Sequence, residues 1–230
     1  AFVRILIRGN WQAEIAPGYW AGAGPVVVFG PNEFPLPVRV KGPFTVIGFA
    51  IHPGGWRSLF DRSARDYADQ MIPLSAAWGN IAERLWNETK DETDDTCLVT
   101  AMERAISAQL AWIGLRAPDT QMNDFAAIAR SDSTIRIDDA AAKIGLSVRQ
   151  LERRCLATFG LSPKAVLRRS RFLDMATAMR GFSSPSEEEL AALRYFDQSH
   201  LNREFKRFAG MTQRAFERTQ TPLFTAGLNL

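Results

Sequence analysis

Two clusters of polar side chains hold the clearest chemistry in this sequence, and they lie fifty residues apart. Arg149, Glu152 and Arg153 form the first; Ser199, Asn202 and Arg203 form the second. On a helix, spacings of three and four residues put each set on one face. The side-chain types suit the exposed edges of base pairs: Arg can pair bidentately with guanine, Asn with adenine, Glu can accept from cytosine, and Ser can serve either. Flanking groups suit phosphate oxygens, which take most protein–DNA hydrogen bonds. These are Arg154, Lys164 and Arg168 beside the first cluster, and Lys206, Arg207, Thr212 and Arg214 beside the second.

The charge distribution points the same way. The net charge is only +3, but residues 1–118 hold 11 basic and 12 acidic side chains, and residues 119–230 hold 17 and 13. Between Ser147 and Arg171 seven basic residues stand against one acid, Glu152. A clustered basic surface suits a polyanion.

Other chemistries lack their parts. His52 is the only histidine before residue 200, and one imidazole makes no His-rich metal site. Cys97 sits among Asp91, Glu92, Asp94 and Asp95, whose charges disfavour a thiolate, and Ser58 and Ser63 have no evident base. Neither a metal, a cofactor nor catalysis is expected. Cys97 and Cys155 are too far apart in sequence for a disulfide framework, which fits a reducing cytoplasm. No apolar run is long enough to span a membrane. The chain opens in a strand pattern without an initiator methionine, which leaves room for an upstream segment.

The elements that must position the two clusters repeat with the same offset of fifty. Ala141-Ala142 falls on Ala191-Ala192, Ser147 on Asp197, Leu151 on Leu201, Cys155 on Phe205, Gly160 on Gly210 and Ser162 on Thr212. Ser147 and Asp197 are N-caps, and the apolar i, i+4 pairs face inward. The glycines suit left-handed helix ends, and Ser162 and Thr212 cap the helix that follows. Each unit therefore reads as helix, tight turn and capped helix. Seven helices are expected at about 120–131, 137–144, 147–158, 163–180, 187–194, 198–208 and 212–219. The segment from Pro163 to Arg180 would span roughly 27 Å at 1.5 Å per residue, near the ~34 Å turn of a duplex.

The front of the chain differs. All six tryptophans precede residue 119. Phe2–Ile7, Val26–Phe29, Val38–Val40 and Phe44–Ile51 read as strands. Gly9-Asn10, Gly30-Pro31-Asn32, Gly42-Pro43 and Pro53-Gly54-Gly55 read as turns between or after them. Helical spacing follows over Trp78–Thr89. A longer helix, capped by Thr96 or Asp95, carries Leu98, Met102, Ile106, Leu110 and Ile113 on one face. Ala117-Pro118 marks a boundary.

Residues 119–218 resemble the DNA-binding domain of the AraC/XylS family. The first half of the likeness lies in Leu146-Ser147 through Leu151, Phe159-Gly160-Leu161-Ser162-Pro163 and Arg171-Phe172. The second half lies in Phe196 to Leu201, Arg203, Phe205 to Phe208 and Gly210-Met211-Thr212. Tyr195 stands where the family often has Gly, and Gln213 where Pro often follows Thr212. More loosely, Gly30-Pro31, Val40 to Pro43 and Gly48-Phe49 through Gly55 resemble a cupin-like amino-terminal domain found in some such regulators.

The expected fold is therefore α+β. A small cupin-like β-barrel with a helical extension occupies 1–118, an all-α domain with two helix-turn-helix units occupies 119–220, and 221–230 is a tail. The resemblance implies a transcription regulator with double-stranded DNA as partner, a small-molecule effector and RNA polymerase as further partners, and a homodimer held by the helices before Gly114. Trp11, Trp20, Trp56 and Arg57 are the residues expected to meet an effector. The competing reading is a barrel-domain enzyme or metabolite-binding protein fused to DNA-binding helices.

Overall fold

The computed structural model describes residues 1–181 and 198–219. The chain divides into two compact units. One comprises Ala1–Asn32, Leu36–Asn123 and Leu156–Gly160; the other comprises Glu33–Pro35, Asp124–Cys155 and Leu161–Leu230.

The first unit is built on one long strand, β1 (Phe2–Ala16). Along one edge it pairs antiparallel with β4 (Val38–Ala50), from Phe2 opposite Ala50 to Ala13 opposite Val38. It also pairs with β3 (Val26–Phe29) at Phe2–Ile5 and with β2 (Tyr19–Ala21) at Ala13–Ala16. β5 (Met71–Pro73) extends the sheet from β3. The result is a curled antiparallel half-barrel followed by helices.

Strand alternation sends side chains to both faces. Val3, Ile5, Val26 and Val28 join Trp56, Phe60, Leu74 and Trp78 in one core, while Leu6, Trp11, Ala13, Val27 and Met71 form another. Trp56 stacks on Phe60 with centroids 4.1 Å apart.

Two expected turns are strand interior. β1 runs through Gly9-Asn10, where the register against β4 shifts between Leu6 and Arg8 and again between Arg8 and Asn10. Gly9 has φ +101°, and a Cβ there would lie 2.6 Å from that of Phe44. The glycine serves an irregularity that bends the strand, not a reversal. Likewise β4 passes through Gly42-Pro43 without a break, joining two expected strands into one.

The helices of this unit are α1 (Trp56–Leu59), α2 (Ser75–Trp78), α3 (Asn80–Thr89) and α4 (Asp95–Ile113). The single helix expected from Trp78 is interrupted by Gly79, whose φ of +52° departs from helical geometry. α4 is capped one residue earlier than expected: the Asp94 carboxylate accepts the Cys97 N–H at 2.9 Å. Leu98, Ala101, Ala105, Gln109 and Ile113 are buried along α4. Met102 and Ile106, expected on a dimer face, pack against the core of their own unit.

The second unit is helical. Its elements are α5 (Thr120–Ser131), α6 (Ile137–Lys143), α7 (Val148–Phe159), α8 (Pro163–Met179), α9 (Gln198–Ala209) and α10 (Gln213–Arg218), with the first turn of α5 and the last turn of α7 grouped in the first unit. Phe172 and Ala176 of α8, Leu201 and Phe205 of α9 and Phe216 of α10 make one core. The Phe205 ring lies 5.1 Å from both Phe172 and Phe216 in edge-to-face contacts. The expected helix 187–194, with Ala191-Ala192, lies outside the described residues. So do Asp197 and the tail 221–230.

Candidate nucleic-acid interface

Local chemistry fixes both exposed helices. At the start of α7, Ser147 Oγ accepts the Gln150 N–H at 3.3 Å, while Gln150 Oε1 accepts the Ser147 N–H at 2.9 Å. This reciprocal capping box satisfies two N–H groups that a helix end otherwise leaves unpaired. Gly145, at φ +69°, makes the tight turn from α6. Ser162 accepts the Ala165 N–H at the head of α8, and Thr212 accepts the Ala215 N–H at the head of α10, each at 3.2 Å. Gly160 and Gly210 both adopt left-handed φ, +69° and +72°, where each preceding helix ends.

The inward positions then dictate the outward ones. Leu151 and Cys155 are fully buried, and burial pushes the Cys155 thiol up from its usual range. Arg149, Glu152 and Arg153 consequently stand exposed on the other face of α7. On α9, Leu201 and Phe205 are buried, and Ser199, Arg203 and Lys206 are exposed. The structure therefore brings Arg149, Glu152 and Arg153 to one solvent-facing surface and Ser199 and Arg203 to another, at equivalent places in α7 and α9.

Asn202 differs from its neighbours. It is half-buried, and its Oδ1 accepts the Gln213 N–H at 3.2 Å, so that oxygen caps α10. A bidentate contact to adenine needs the same oxygen.

The residues expected at phosphates separate into two groups. Lys164, Lys206 and Arg214 are exposed; Arg154 and Thr212 are half-buried. Arg168 is engaged by the buried carboxylate of Glu204, with its Nε 3.3 Å from Oε2. Arg207 pairs with Glu33, which belongs to this same unit, and lies 4.9 Å from the centre of the Phe34 ring.

Sequence reasoning missed Gln150 and Glu204. The Ser-x-x-Gln spacing of the capping box was legible. So was the inward position of Glu204, three residues after Leu201, which demands a buried cation.

In the first unit the residues expected at an effector do not converge. Trp11 and Trp56 are buried in different cores, and their indole N–H groups bond the carbonyls of Gly24 and Arg62. Trp20 is half-buried under the Arg39 guanidinium at 4.6 Å, and Arg57 is exposed.

Residues 140–219 match the family model described as a helix-turn-helix domain. This segment is an AraC/XylS-type helix-turn-helix domain. A domain of this type is the DNA-binding part of a transcription regulator. No curated protein and no solved structure matches the chain. No helix among the described residues is long and apolar enough to cross a membrane.

Proposed function

We propose that the protein is a sequence-specific regulator of transcription that reads duplex DNA with α7 and α9. One observation carries this reading: two helices, α7 and α9, each turn Arg and polar side chains outward over a buried Leu and its i+4 partner. The outward face of α7 offers Arg149, Glu152 and Arg153; that of α9 offers Ser199 and Arg203. The 17 residues of α8 extend about 26 Å at 1.5 Å per residue. That length suits two readers placed about one duplex turn apart.

In this reading 119–220 is the DNA-binding part, and 1–118 carries effector sensing and self-association into a homodimer, with RNA polymerase as a further partner. Trp20 and Arg57 are the accessible members of the effector set. The protein acts in the cytoplasm.

The test is selection of binding sites from random duplex DNA, followed by gel shifts across a salt series with the full chain. The expected result is a bipartite site, bound with an affinity that falls steeply with salt as phosphate contacts release counterions. Failure to enrich any sequence at low salt overturns the reading.

A further inference from the structure

The connection from β3 to β4, residues 30–37, is shared by the two compact units. Its root up to Asn32 and its return from Leu36 lie in the first, while its tip, Glu33–Pro35, lies in the second. The last turn of α7, within Leu156–Gly160, belongs to the first unit with the root, and α9 belongs to the second with the tip.

The root holds the end of α7. The Pro31 carbonyl accepts the Asp69 N–H and the Gly30 N–H donates to the Gln70 carbonyl, each at 3.0 Å, so Pro31 is fixed in place. A Cβ on Gly160, where α7 ends, would lie 2.5 Å from Pro31 Cγ and 2.8 Å from the Ala64 carbonyl oxygen. Beside this contact Ser63 Oγ donates to the Leu156 carbonyl at 3.3 Å, and an Arg65 nitrogen lies 3.5 Å from the Gly160 carbonyl oxygen. These donors meet carbonyls that a helix end otherwise leaves unpaired.

The tip holds the end of α9. Glu33 pairs with Arg207, whose guanidinium also lies 4.9 Å from the centre of the Phe34 ring. A Cβ on Gly210, where α9 ends, would lie 3.3 Å from Pro35 Cγ. Gly160 and Gly210 correspond in the repeat of fifty. Two prolines of one connection therefore meet the same position of the two helices.

Both holds lie at the ends away from the reading side chains. A recognition helix turns its N-terminal residues to the bases, here from Arg149 to Arg153 and from Ser199 to Arg203. From Gly160 back to Arg149 is about 16 Å at 1.5 Å per residue. A tilt of about 10° at the held end moves the reading end by about 3 Å, far beyond the ~0.5 Å that a recognition site tolerates.

We propose that Pro31 is a positioning residue for α7, and Glu33 with Pro35 for α9, so that one connection in the sheet of the first unit aims both readers. The assignment rests on the reading of α7 and α9 as DNA readers. It adds to that reading a route by which movement of β3 against β4 reaches both halves of the DNA site.

The test uses the full chain and DNA obtained by site selection. Dissociation constants are measured for the selected site and for sites with one base pair changed in the cluster read by α7 or in that read by α9. Each change should cost the wild type about tenfold. Pro31→Ala should cut the penalty at the α7 cluster to about twofold and leave that at the α9 cluster in place. Ser63→Ala with Arg65→Gln, which spares the connection itself, should do the same. Glu33→Gln should do the reverse, and Glu33→Asp, which keeps the charge, should retain both penalties. A merely structural role would lower binding to all sequences alike, so penalties that change equally at both clusters, or at neither, overturn the proposal. So does a uniform gain in affinity with Glu33→Gln, because that marks Glu33 as a brake on Arg207 and not as a guide for α9. If selection yields no sequence at all, the reading of two DNA-reading helices fails and this assignment falls with it. If selection succeeds and the substitutions leave every penalty in place, the positioning role alone fails.

Discussion

Glu204 of α9 is only 4% exposed, and both of its carboxylate oxygens are engaged by the Arg168 guanidinium of α8. An unpaired carboxylate at that depth is costly, so this pair ties α9 to α8. Glu204→Gln should lower stability by about 1.5–3 kcal/mol, the usual value of a hydrogen bond to a charged group. Arg168→Met combined with Glu204→Met should cost less than either single change, since no charge is left unpaired. Urea unfolding of the four proteins, read as a double-mutant cycle, measures this. Additive costs would mean that the pair is not coupled.

Arg153 and Arg203 occupy equivalent exposed positions, two residues after the buried Leu151 and Leu201. Arg153→Ala and Arg203→Ala should each relax base preference in a different half of the site, at about 1–3 kcal/mol if the Arg reads guanine. The two affected clusters should lie about one duplex turn, ~34 Å, apart. Site selection repeated with each variant is the check. A uniform loss over all sequences would assign both arginines to phosphate.

Asn202 should behave differently from Arg203. Because its Oδ1 caps α10, Asn202→Ala should reduce stability by about 1 kcal/mol, as loss of a cap does. Base preference should change little. Thermal unfolding beside site selection distinguishes the two effects. An unchanged melting temperature with altered preference would return Asn202 to the base-reading set.

The contrast between Asn202 and Arg203 marks where the sequence was legible. The repeat of fifty, its caps and its inward leucines are local patterns, and they located α7 and α9 to within a residue or two. The exposed face followed from the same periodicity. What a side chain touches is set by tertiary packing, so neither the Gln213 N–H waiting for Asn202 nor the Glu204 carboxylate waiting for Arg168 was visible as a partner. In the first unit the error had another source. Gly9 and Gly42-Pro43 carry the composition of turns, yet pairing of β1 with β4 on both sides of them, with Arg8 opposite Thr45 on one side and Asn10 opposite Lys41 on the other, holds them in the sheet. Gly79 escaped notice for the opposite reason, because apolar spacing on both sides of it matched a continuous helix. Trp11 and Trp56 stood beside apparent turns in the sequence, and packing against the sheet drew both into the core.

Tryptophan emission should report on residues 1–118 alone, since no tryptophan lies beyond Trp112. A small-molecule effector bound near Trp20 should alter the emission, and Trp20→Phe should abolish most of the change. Among the tryptophans named for the effector, Trp20 is the accessible one, whereas Trp11 and Trp56 are buried. An effector that alters DNA binding yet leaves the emission of the wild type untouched would place its site away from this residue.

The two cysteines offer a probe of the first helix-turn-helix unit, because they differ in access but share a raised pKa. Cys97 is exposed, and its thiol is held up by its hydrogen bond to Asp94 and by the negative charge of Glu92. Cys155 is buried under α7, and burial raises its thiol further. A raised pKa means less thiolate at neutral pH, so both should react slowly with a thiol reagent and faster as pH rises. In the native protein one thiol per chain, Cys97, should be labelled first. Asp94→Asn keeps a capping side chain but removes a charge, so it should speed that phase. Cys155 should react only through opening of its unit. If reclosing outpaces labelling, its rate reports the open population. Selected DNA at a hundred times its dissociation constant stabilises the bound fold by about 2.7 kcal/mol. It should therefore slow Cys155 about a hundredfold and leave Cys97 unchanged. Equal slowing of both thiols, or of neither, would mean that DNA does not bind the surface that Cys155 supports from beneath.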